Sequence, residues 1–329
     1  MPHTISAADA AELAVVERSG FVESRHIGSA IVLSPDGQVV RTVGDVSALI
    51  LPRSSFKPIQ ALGSLAAGAW LDSERLALAT ASHSGTNRHV EVVREILETA
   101  RLTEDALGCP PSWPTDSATR AEMIRDRAEP ARIRMNCSGK HAAMLLACSV
   151  NGWDTATYLD PSHPLQVQIR EVAERLTGEK MAHAAIDGCG APVYAVSLTG
   201  LARAAHRIGT SSTTSPFALH RNAGTLVQAV RDNPWAIQGP GQPDTIAIER
   251  AGVFSKYGAE GVIIMTAPNG ATVAAKTLDG SNRVSHVVAL ALLEQAGALP
   301  ATDVAAVTSQ LSLTISGGSH DVGIIRPVV

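Results

Sequence analysis

Turn residues near both ends of the chain fold strand-like segments back on themselves, and no other feature constrains the fold as strongly. A Pro-Asp-Gly turn at 35–37 separates two runs rich in β-branched residues, HIGSAIVLS and QVVRTVG. A Pro-Asn-Gly turn at 268–270 separates GVIIMTA from ATVAAKT in the same way. Turns of this composition between such runs predict β-hairpins. Both ends of the chain are therefore expected to supply antiparallel strands.

Helical periodicity dominates the residues between the two hairpins. Regular strand–helix alternation is missing, which argues against a doubly wound parallel sheet. We predict an α+β fold in which one antiparallel sheet of N- and C-terminal strands is packed with helices and a central helical lobe. The predicted helices occupy 58–69, 74–81, 89–100, 140–150, 163–176, 198–208, 216–231 and 284–294.

The 329 residues are expected to form a single domain with two lobes. Residues 1–50 and 240–329 form the predicted sheet lobe, and residues 51–239 form the predicted helical lobe. A cleft is expected where the two lobes meet. Neither GxxxxGK[ST] nor GxGxxG occurs, so the cleft has no phosphate-binding loop of these two kinds.

Composition argues against several classes of partner. The formal charge, 27 basic minus 31 acidic residues, is −4, which gives no reason to expect a nucleic acid or an anionic membrane. No apolar run reaches the ~18 residues of a membrane-spanning helix. The opening segment MPHTISAADAAELAVVE does not have the pattern of a signal peptide. We therefore expect a cytoplasmic protein with no nucleic-acid and no membrane partner.

The four cysteines are spread widely along the chain. In a long cytosolic protein such spacing argues against a disulfide framework. Cys148, inside AAMLLACSV, is predicted to be a buried thiol. Cys137 and Cys189 lie beside glycine and polar residues, in NCSGK and DGCGAP, and are predicted to face the cleft.

The stretch LPRSSFKPIQALGSL places Ser54 and Lys57 three residues apart at the start of a predicted helix. Residues at this spacing share a helix face, so the hydroxyl and the amine can meet. A lysine whose pKa is lowered by burial or by a neighbouring cation can accept the proton of the serine. The alternative explanation of so short a pattern is an N-cap serine beside a solvated lysine.

Two other short motifs carry polar side chains with two possible roles. Ser82 and His83, in ASHSG, can cap the helix that follows, or they can act as nucleophile, proton relay or substrate clamp. Spacing alone favours capping. Lys256, in KYGAEGVIIM, lies at the start of a predicted buried strand, from which its charge can reach the cleft. An ordinary surface lysine is the alternative.

The sequence leaves open whether the chain binds a metal ion. Cys137 and Lys140 lie three residues apart at a predicted helix start, and Asp187 and Cys189 lie two apart in a glycine-rich turn. Two thiolates and a nitrogen donor suit Zn²⁺. A lysine ligand is unusual, because the ammonium has to lose its proton before it can coordinate a metal. Spacing alone therefore favours a redox-sensitive thiol pair or a catalytic cysteine.

The order of these motifs is more informative than any one of them. S-x-x-K at a helix start, a helical lobe and K-x-G on a C-terminal strand form the layout of serine β-lactamases and penicillin-binding proteins. A closer resemblance covers nearly the whole chain, which is similar to the asparaginase II family, the Rhizobium etli type L-asparaginases. The matching strings are RSSFKPIQ, ASHSG with HVEVVREIL, NCSGKHAAML, YLDPSHPLQ, AIDGCGAPV, Asp244-Thr245 and KYGAEGV.

This resemblance implies a homodimeric enzyme, on a glutaminase/β-lactamase-like fold, that hydrolyses L-asparagine to L-aspartate and ammonia by Ser–Lys acyl transfer. By motif, Ser54 pairs with Lys57 and Ser82 pairs with Lys256. The resemblance also implies a zinc ion, which reverses the preference drawn from spacing. The implied zinc ligands are Cys137, Lys140 and Cys189, and the substrate-binding residues predicted from the matching motifs are Arg53, His83, His141 and Asp187.

Several alternatives stay open at the level of sequence. Ser54 is favoured as nucleophile because Lys57 lies one turn away, but Ser82 with Lys256 can attack instead. Thr86 follows SHSG where the family often has Glu or Asp, and a CGPH-like stretch is replaced by CPPS at 109–112. A glutaminase, another acyl-serine amidohydrolase or a β-lactamase-like enzyme is therefore the alternative activity. A zinc or thiol sensor without catalysis is the non-enzymatic alternative.

Overall fold

The computed structural model describes residues 3–329. Its largest element is one antiparallel sheet with helices on both faces. The strands are β1 (Ala11–Arg18), β2 (Phe21–Leu33), β3 (Val39–Val43), β4 (Leu49–Ile50), β5 (Ala184–Ile186), β6 (Pro192–Tyr194), β7 (Val196–Ser197), β8 (Phe254–Gly258), β9 (Val262–Thr266), β10 (Thr272–Thr277), β11 (Thr314–Gly317) and β12 (His320–Pro327). The helices are α1 (Lys57–Ala66), α2 (Ser73–Ala79), α3 (Asn87–Thr99), α4 (Ser117–Arg125), α5 (Ser138–Asn151), α6 (Pro164–Thr177), α7 (Leu198–Gly209), α8 (Ala218–Asp232), α9 (Pro243–Ala251), α10 (Ser285–Gln295) and α11 (Ala301–Thr308).

The large sheet joins the two ends of the chain. Its strand order is β11-β12-β1-β2-β10-β9-β8, with β3 also paired to β2. Val16 lies opposite Ile325 where β1 meets β12, and Leu33 lies opposite Thr272 where β2 meets β10. The predicted hairpins at 35–37 and 268–270 connect β2 to β3 and β9 to β10. The predicted α+β class is confirmed.

Both faces of the sheet are buried, and side chains alternate between them with the period of two of a β-strand. In β2, Ile31 and Leu33 belong to the core shared with central helices such as α1, α5 and α7. Ala30 and Val32 belong to the opposite core, shared with α9, α10 and α11. This alternation fixes the register, because a shift of one residue would exchange the two sets of side chains.

The predicted helices are all present, but the sequence did not predict α4, α9, α11 or the β11–β12 hairpin. Helix α9 buries Asp244 and Thr245, which interrupt the apolar periodicity. Helix α4 carries mostly polar side chains, and most residues of β11 and β12 are not buried. These elements depend on tertiary contacts, such as those of α9 with β8 and α11.

The strands of the large sheet come from 11–43 and 254–327, whereas α1 to α8 come from 57–232. Sheet residues such as Ile264 and helix residues such as Leu62 share one core. The exact lobe boundaries stay a prediction. Among residues 3–329, no helix is both long and apolar enough to cross a membrane.

Candidate active site

Lys57 lies at the centre of a buried polar cluster. Helix α1 begins at this residue, directly after the 3-10 turn Arg53–Phe56. Its side chain is 1% exposed. The ammonium donates hydrogen bonds to the Ser82 hydroxyl at 3.0 Å, the Asn136 carbonyl oxygen at 3.3 Å and the Ala81 carbonyl oxygen. All three N–H donors of the ammonium group are therefore used.

The lysine–serine contact differs from the predicted pairing. Lys57 was predicted to meet Ser54, but it contacts Ser82, and the Ser54 hydroxyl makes no side-chain hydrogen bond with any residue of 3–329. A buried ammonium group needs an acceptor for each of its N–H groups. The loops that precede α3 and α5 supply these acceptors, so the Lys57 side chain extends to those loops. Whether Ser54 is the nucleophile stays a prediction.

Lys256 was predicted at a strand start, but it lies within β8, an edge strand of the large sheet. Its side chain is also 1% exposed. The ammonium donates to the Tyr257 carbonyl oxygen at 2.8 Å and lies 3.6 Å from a carboxylate oxygen of Asp244. Within residues 3–329 it makes no hydrogen bond to Ser82. Burial lowers the pKa of Lys256 to about 8, the nearby Lys57 charge acts in the same direction, and Asp244 opposes both.

Asp244 is a site residue that the prediction did not name. It is fully buried and accepts hydrogen bonds from the Ser255 hydroxyl at 2.7 Å, the Tyr257 N–H at 3.0 Å and His286 Nε2 at 2.9 Å. Burial alone raises the pKa of Asp244, but the Lys256 charge and the His286 hydrogen bond hold it well below its usual range. The Asp-Thr pair among the matching strings was the available signal, since a buried carboxylate needs such partners.

We expect the kcat/KM of the enzyme to depend on the protonation state of Lys256. If neutral Lys256 accepts a proton in the reaction, kcat/KM falls about tenfold per pH unit below the pKa of about 8 and levels off above it. Asp244→Asn removes the negative charge that favours the ammonium form of Lys256. The pH at which kcat/KM levels off should therefore fall by about one unit or more. The pH profiles of both proteins measure this. If kcat/KM levelled off at the same pH in Asp244→Asn, the assignment of Lys256 as the proton acceptor would be wrong.

The turn that carries Ser54 packs directly against β8. Arg53 has φ +51°, a left-handed conformation that costs energy for a residue with a side chain and is enriched at functional sites. A Cβ atom on Gly258 would lie 2.4 Å from the Pro52 carbonyl oxygen and 3.0 Å from the Ser55 nitrogen. Only a glycine fits here, so the position of the turn depends on this strand.

Gly258→Ala should therefore displace the Ser54 turn from β8. We expect kcat to be about 10²-fold lower than in the parent, because small misplacements of reacting groups have effects of this size. The expected loss in the free energy of unfolding is about 1–3 kcal/mol. Gly209→Ala is the matched control, because its Cβ would crowd the Thr266 side chain at 2.5 Å where α7 packs on β9. If Gly209→Ala lost as much activity as Gly258→Ala, the loss would not be due to displacement of the Ser54 turn.

Arg53 and Asp187, both predicted to bind substrate, lie next to each other. Arg53 Nε lies 2.7 Å from Asp187 Oδ1, and Arg53 Nη1 lies 3.7 Å from Glu260 Oε1 in the turn after β8. The Arg53 side chain is 24% exposed, so part of the guanidinium group is open to solvent. These groups can hold the charged ends of an amino acid, and their substrate role stays a prediction.

His83 has a structural role in the described chain. Its Nε2 bonds to the Ser138 hydroxyl at 2.9 Å, and its Nδ1 accepts the Gly85 N–H at 3.1 Å. Burial, more than the nearby charges, lowers its pKa well below the usual value, so the ring is neutral. A direct contact of His83 with substrate would therefore require one of these hydrogen bonds to break.

The predicted metal-binding residues meet in the interior. Lys140 Nζ donates to Cys189 Sγ at 3.1 Å, and the Cys137 S–H donates to the Asn136 side-chain oxygen at 3.2 Å. The neighbouring Cys137 thiol and the Lys140 charge lower the pKa of Cys189 well below its usual range. The expectation that both cysteines face a cleft is wrong, because they are 4% and 1% exposed. Cys137 is the N-cap residue of α5, and Cys189 lies in the turn between β5 and β6.

These donors fit a zinc ion chemically, since two sulfurs and an amine nitrogen lie together. No group of three or more His, Cys, Asp or Glu side chains in residues 3–329 is arranged to hold a metal. The third protein donor would therefore have to be Lys140. Burial opposes the charged form of this lysine, but the two cysteines outweigh it and raise its pKa to about 12. Coordination would require the metal to displace that proton.

The sequence pattern of the family described as L-asparaginase II matches residues 14–327. The chain belongs to the asparaginase II family. Members of this family are amidohydrolases, and the buried Lys57–Ser82 contact lies within two of the motifs that suggested the family. No curated protein matches the chain.

Solved structures resemble this asparaginase II chain only weakly. Native Mglu shares 12% identity at a TM-score of 0.45, over 82% of this chain and 64% of Mglu. A β-lactamase from Mycobacterium bovis shares 18% identity at 0.43, over 82% and 94% of the two chains. A Bacillus glutaminase shares 11% identity at 0.36, over 82% and 91%. These likenesses are too weak to support an argument about function.

Proposed function

We propose that this asparaginase II family member hydrolyses L-asparagine to L-aspartate and ammonia through an acyl-enzyme on Ser54. The observation that supports it best is the buried Lys57 ammonium group, which links the start of the Ser54 helix to the Ser82 hydroxyl at 3.0 Å. Burying a lysine and a serine together serves no packing purpose, because both groups have to be desolvated. A buried lysine in contact with a hydroxyl is therefore a candidate catalytic group.

The proposed proton path begins at the Ser54 hydroxyl and ends at Lys256. Ser82 accepts a hydrogen bond from Lys57 and therefore keeps its own O–H to donate, which suits a relay. Burial raises the pKa of the Tyr257 phenol to about 12, and the nearby Ser82 hydroxyl opposes that rise. Lys256 is the better final acceptor, because its pKa is lowered to about 8. Lys57, which donates three hydrogen bonds, acts as the ammonium group that stabilises negative charge on oxygen.

Attack of Ser54 Oγ on the side-chain amide carbon forms a C–O bond and moves one electron pair onto the carbonyl oxygen. The Ser54 N–H donates to no acceptor in residues 3–329, and it can stabilise this oxyanion. Collapse of the intermediate breaks the C–N bond, and the protonated Lys256 returns a proton to the departing ammonia. Water then attacks the ester carbon and gives a proton to the same lysine. Collapse of this second intermediate breaks the bond between the acyl carbon and Ser54 Oγ, the lysine returns the proton to Ser54 Oγ, and L-aspartate leaves.

Recognition of the substrate's charged ends is assigned to Arg53 and Asp187, which form an ion pair at 2.7 Å. A zinc ion held by Cys137, Lys140 and Cys189 would orient the α-amino or α-carboxylate group of the substrate. Homodimerisation, implied by the resemblance, and a cytoplasmic location, expected from the composition, stay predictions.

The deciding experiment measures ammonia release from L-asparagine and from L-glutamine, and hydrolysis of a chromogenic β-lactam, each with zinc added and after chelation. We expect asparagine to be the best substrate. Faster release from glutamine would assign a glutaminase, and turnover of a chromogenic β-lactam alone would assign a lactamase-like hydrolase. If the folded, zinc-supplied protein released no ammonia from either amino acid, the proposal would be wrong and the sensor hypothesis would gain support.

A further inference from the structure

Two charged residues of the candidate site have backbone conformations that cost energy for a residue with a side chain. Arg53, directly before Ser54, has φ +51°, and Glu260, in the turn between β8 and β9, has φ +62°. Left-handed conformations of this kind persist only where the surrounding structure holds them, and they concentrate at functional sites. Arg53 Nη1 lies 3.7 Å from Glu260 Oε1. The strained backbone therefore places one cation and one anion next to the proposed nucleophile.

The turn that carries Glu260 packs tightly against its surroundings. A Cβ atom on Gly261 would overlap Thr277 Oγ1, and the Gly261 carbonyl oxygen accepts the Thr277 N–H at 2.9 Å. A Cβ atom on Gly280 would lie 2.5 Å from Glu260 Oε2. The two glycines leave the space that the turn and the carboxylate occupy. Packing therefore holds the Glu260 carboxylate beside Arg53.

The Glu260 carboxylate is open to a ligand, whereas Asp187, the other carboxylate beside Arg53, is covered. The Glu260 side chain is 63% exposed, and its carboxylate makes no hydrogen bond with any residue of 3–329, since Arg53 at 3.7 Å is too distant. The Asp187 side chain is 11% exposed and accepts hydrogen bonds from Arg53 Nε at 2.7 Å and the Gly188 N–H at 2.8 Å. A cation that enters the site therefore finds Glu260 the more accessible carboxylate.

The two histidines that were predicted to bind substrate are unsuited to an ammonium group. His141 is fully buried, with its Nδ1 2.5 Å from Tyr158 Oη, and His83 is bonded to Ser138. An α-ammonium group is bound best by an ionised acceptor. In asparagine only the short Cα–Cβ segment separates this group from the amide carbon that Ser54 attacks. The carboxylate that binds it therefore has to lie beside the Ser54 turn.

We propose that Glu260 is a specificity residue that binds the α-ammonium group of the substrate, while Arg53 binds the α-carboxylate. The inference rests on the proposed function, and it narrows the role of Asp187 to a positioning residue that orients Arg53. The ligand class of the site is then an amino-acid amide whose α-amino group is free and protonated.

Three amides separate the two charge contacts. L-Asparagine carries both charges, succinamate lacks the α-ammonium group, and 3-aminopropanamide lacks the α-carboxylate. In Glu260→Gln the ratio of kcat/KM for L-asparagine to that for succinamate should fall about 10-fold, mainly through KM. The ratio of L-asparagine to 3-aminopropanamide should stay near the parent's value, since both carry the ammonium group. Asp187→Asn should give the reverse pattern, because it weakens the carboxylate contact of Arg53.

Two further variants control for charge and for folding. Glu23→Gln removes a carboxylate that pairs with Arg18 at 2.8 Å on β2, which β10 and β9 separate from β8, so both ratios should match the parent's. Glu260→Gly relieves the left-handed strain and should unfold at a temperature no lower than the parent. It should show the same selective loss as Glu260→Gln, so it decides the question if the glutamine variant does not fold.

An equal loss of kcat/KM for all three amides in Glu260→Gln would overturn the assignment and leave the amidohydrolase intact. A fall of the asparagine-to-succinamate ratio in Asp187→Asn, with parent-like ratios in Glu260→Gln, would assign the ammonium contact to Asp187 instead. If the folded, zinc-supplied parent released ammonia from none of the three amides, the proposed function would be wrong and the role of Glu260 with it.

Discussion

Ser54→Ala should reduce ammonia release by about 10⁴-fold or more, since loss of a nucleophile that forms a covalent intermediate has effects of this order. The Ser54 hydroxyl makes no hydrogen bond with other side chains of 3–329, so its removal leaves no buried polar partner unsatisfied. The variant should therefore fold like the parent, and the loss should appear in kcat and not in thermal stability. Steady-state ammonia assays and thermal unfolding measure the two quantities.

Acyl transfer to hydroxylamine separates the two candidate serines. An acyl-enzyme on Ser54 predicts that Ser54→Ala forms no aspartyl hydroxamate, whereas Ser82→Ala still forms it at a reduced rate. Ser64→Ala is the matched control, because its buried hydroxyl donates to the Gln60 carbonyl oxygen within α1. Hydroxamate formation by Ser54→Ala together with its loss in Ser82→Ala would assign the nucleophile to Ser82.

Lys57→Met should lower kcat by about 10³-fold, because it removes the ammonium group that stabilises negative charge on the reacting oxygens. It should also destabilise the fold. The carbonyl oxygens of Ala81 and Asn136 would lose a charged donor, and each unsatisfied buried acceptor costs about 1–3 kcal/mol. Thermal unfolding and kcat at saturating substrate measure the two effects.

Lys276→Met is the control that separates stability from chemistry. Lys276 is a second buried lysine, 7% exposed, whose ammonium donates to the carbonyl oxygens of Glu260 and Thr277. The control should lose a comparable amount of stability and keep most of its kcat. If both variants lost activity in proportion to stability, Lys57 would be a structural lysine and the proposed mechanism would lose its central charge.

The sequence by itself determined the family, the two hairpins at 35–37 and 268–270, and the helices predicted between and after them. Turn residues at 35–37 and 268–270, and the runs rich in β-branched residues that flank them, are local signals that act within a few residues. Helix periodicity is equally local. The motif strings predicted which residues to consider, including Ser54, Lys57 and the two cysteines of the candidate metal site.

Only the tertiary structure decided which of these groups meet. Lys57 joins Ser82 and not Ser54, because a buried ammonium group takes its acceptors from whichever loops the packing brings within reach. Asp244 reaches Lys256 and His286 from a helix whose burial no periodicity revealed. Pairing depends on three-dimensional distance and on the desolvation of each charge, and neither quantity is encoded in the spacing of residues along the chain.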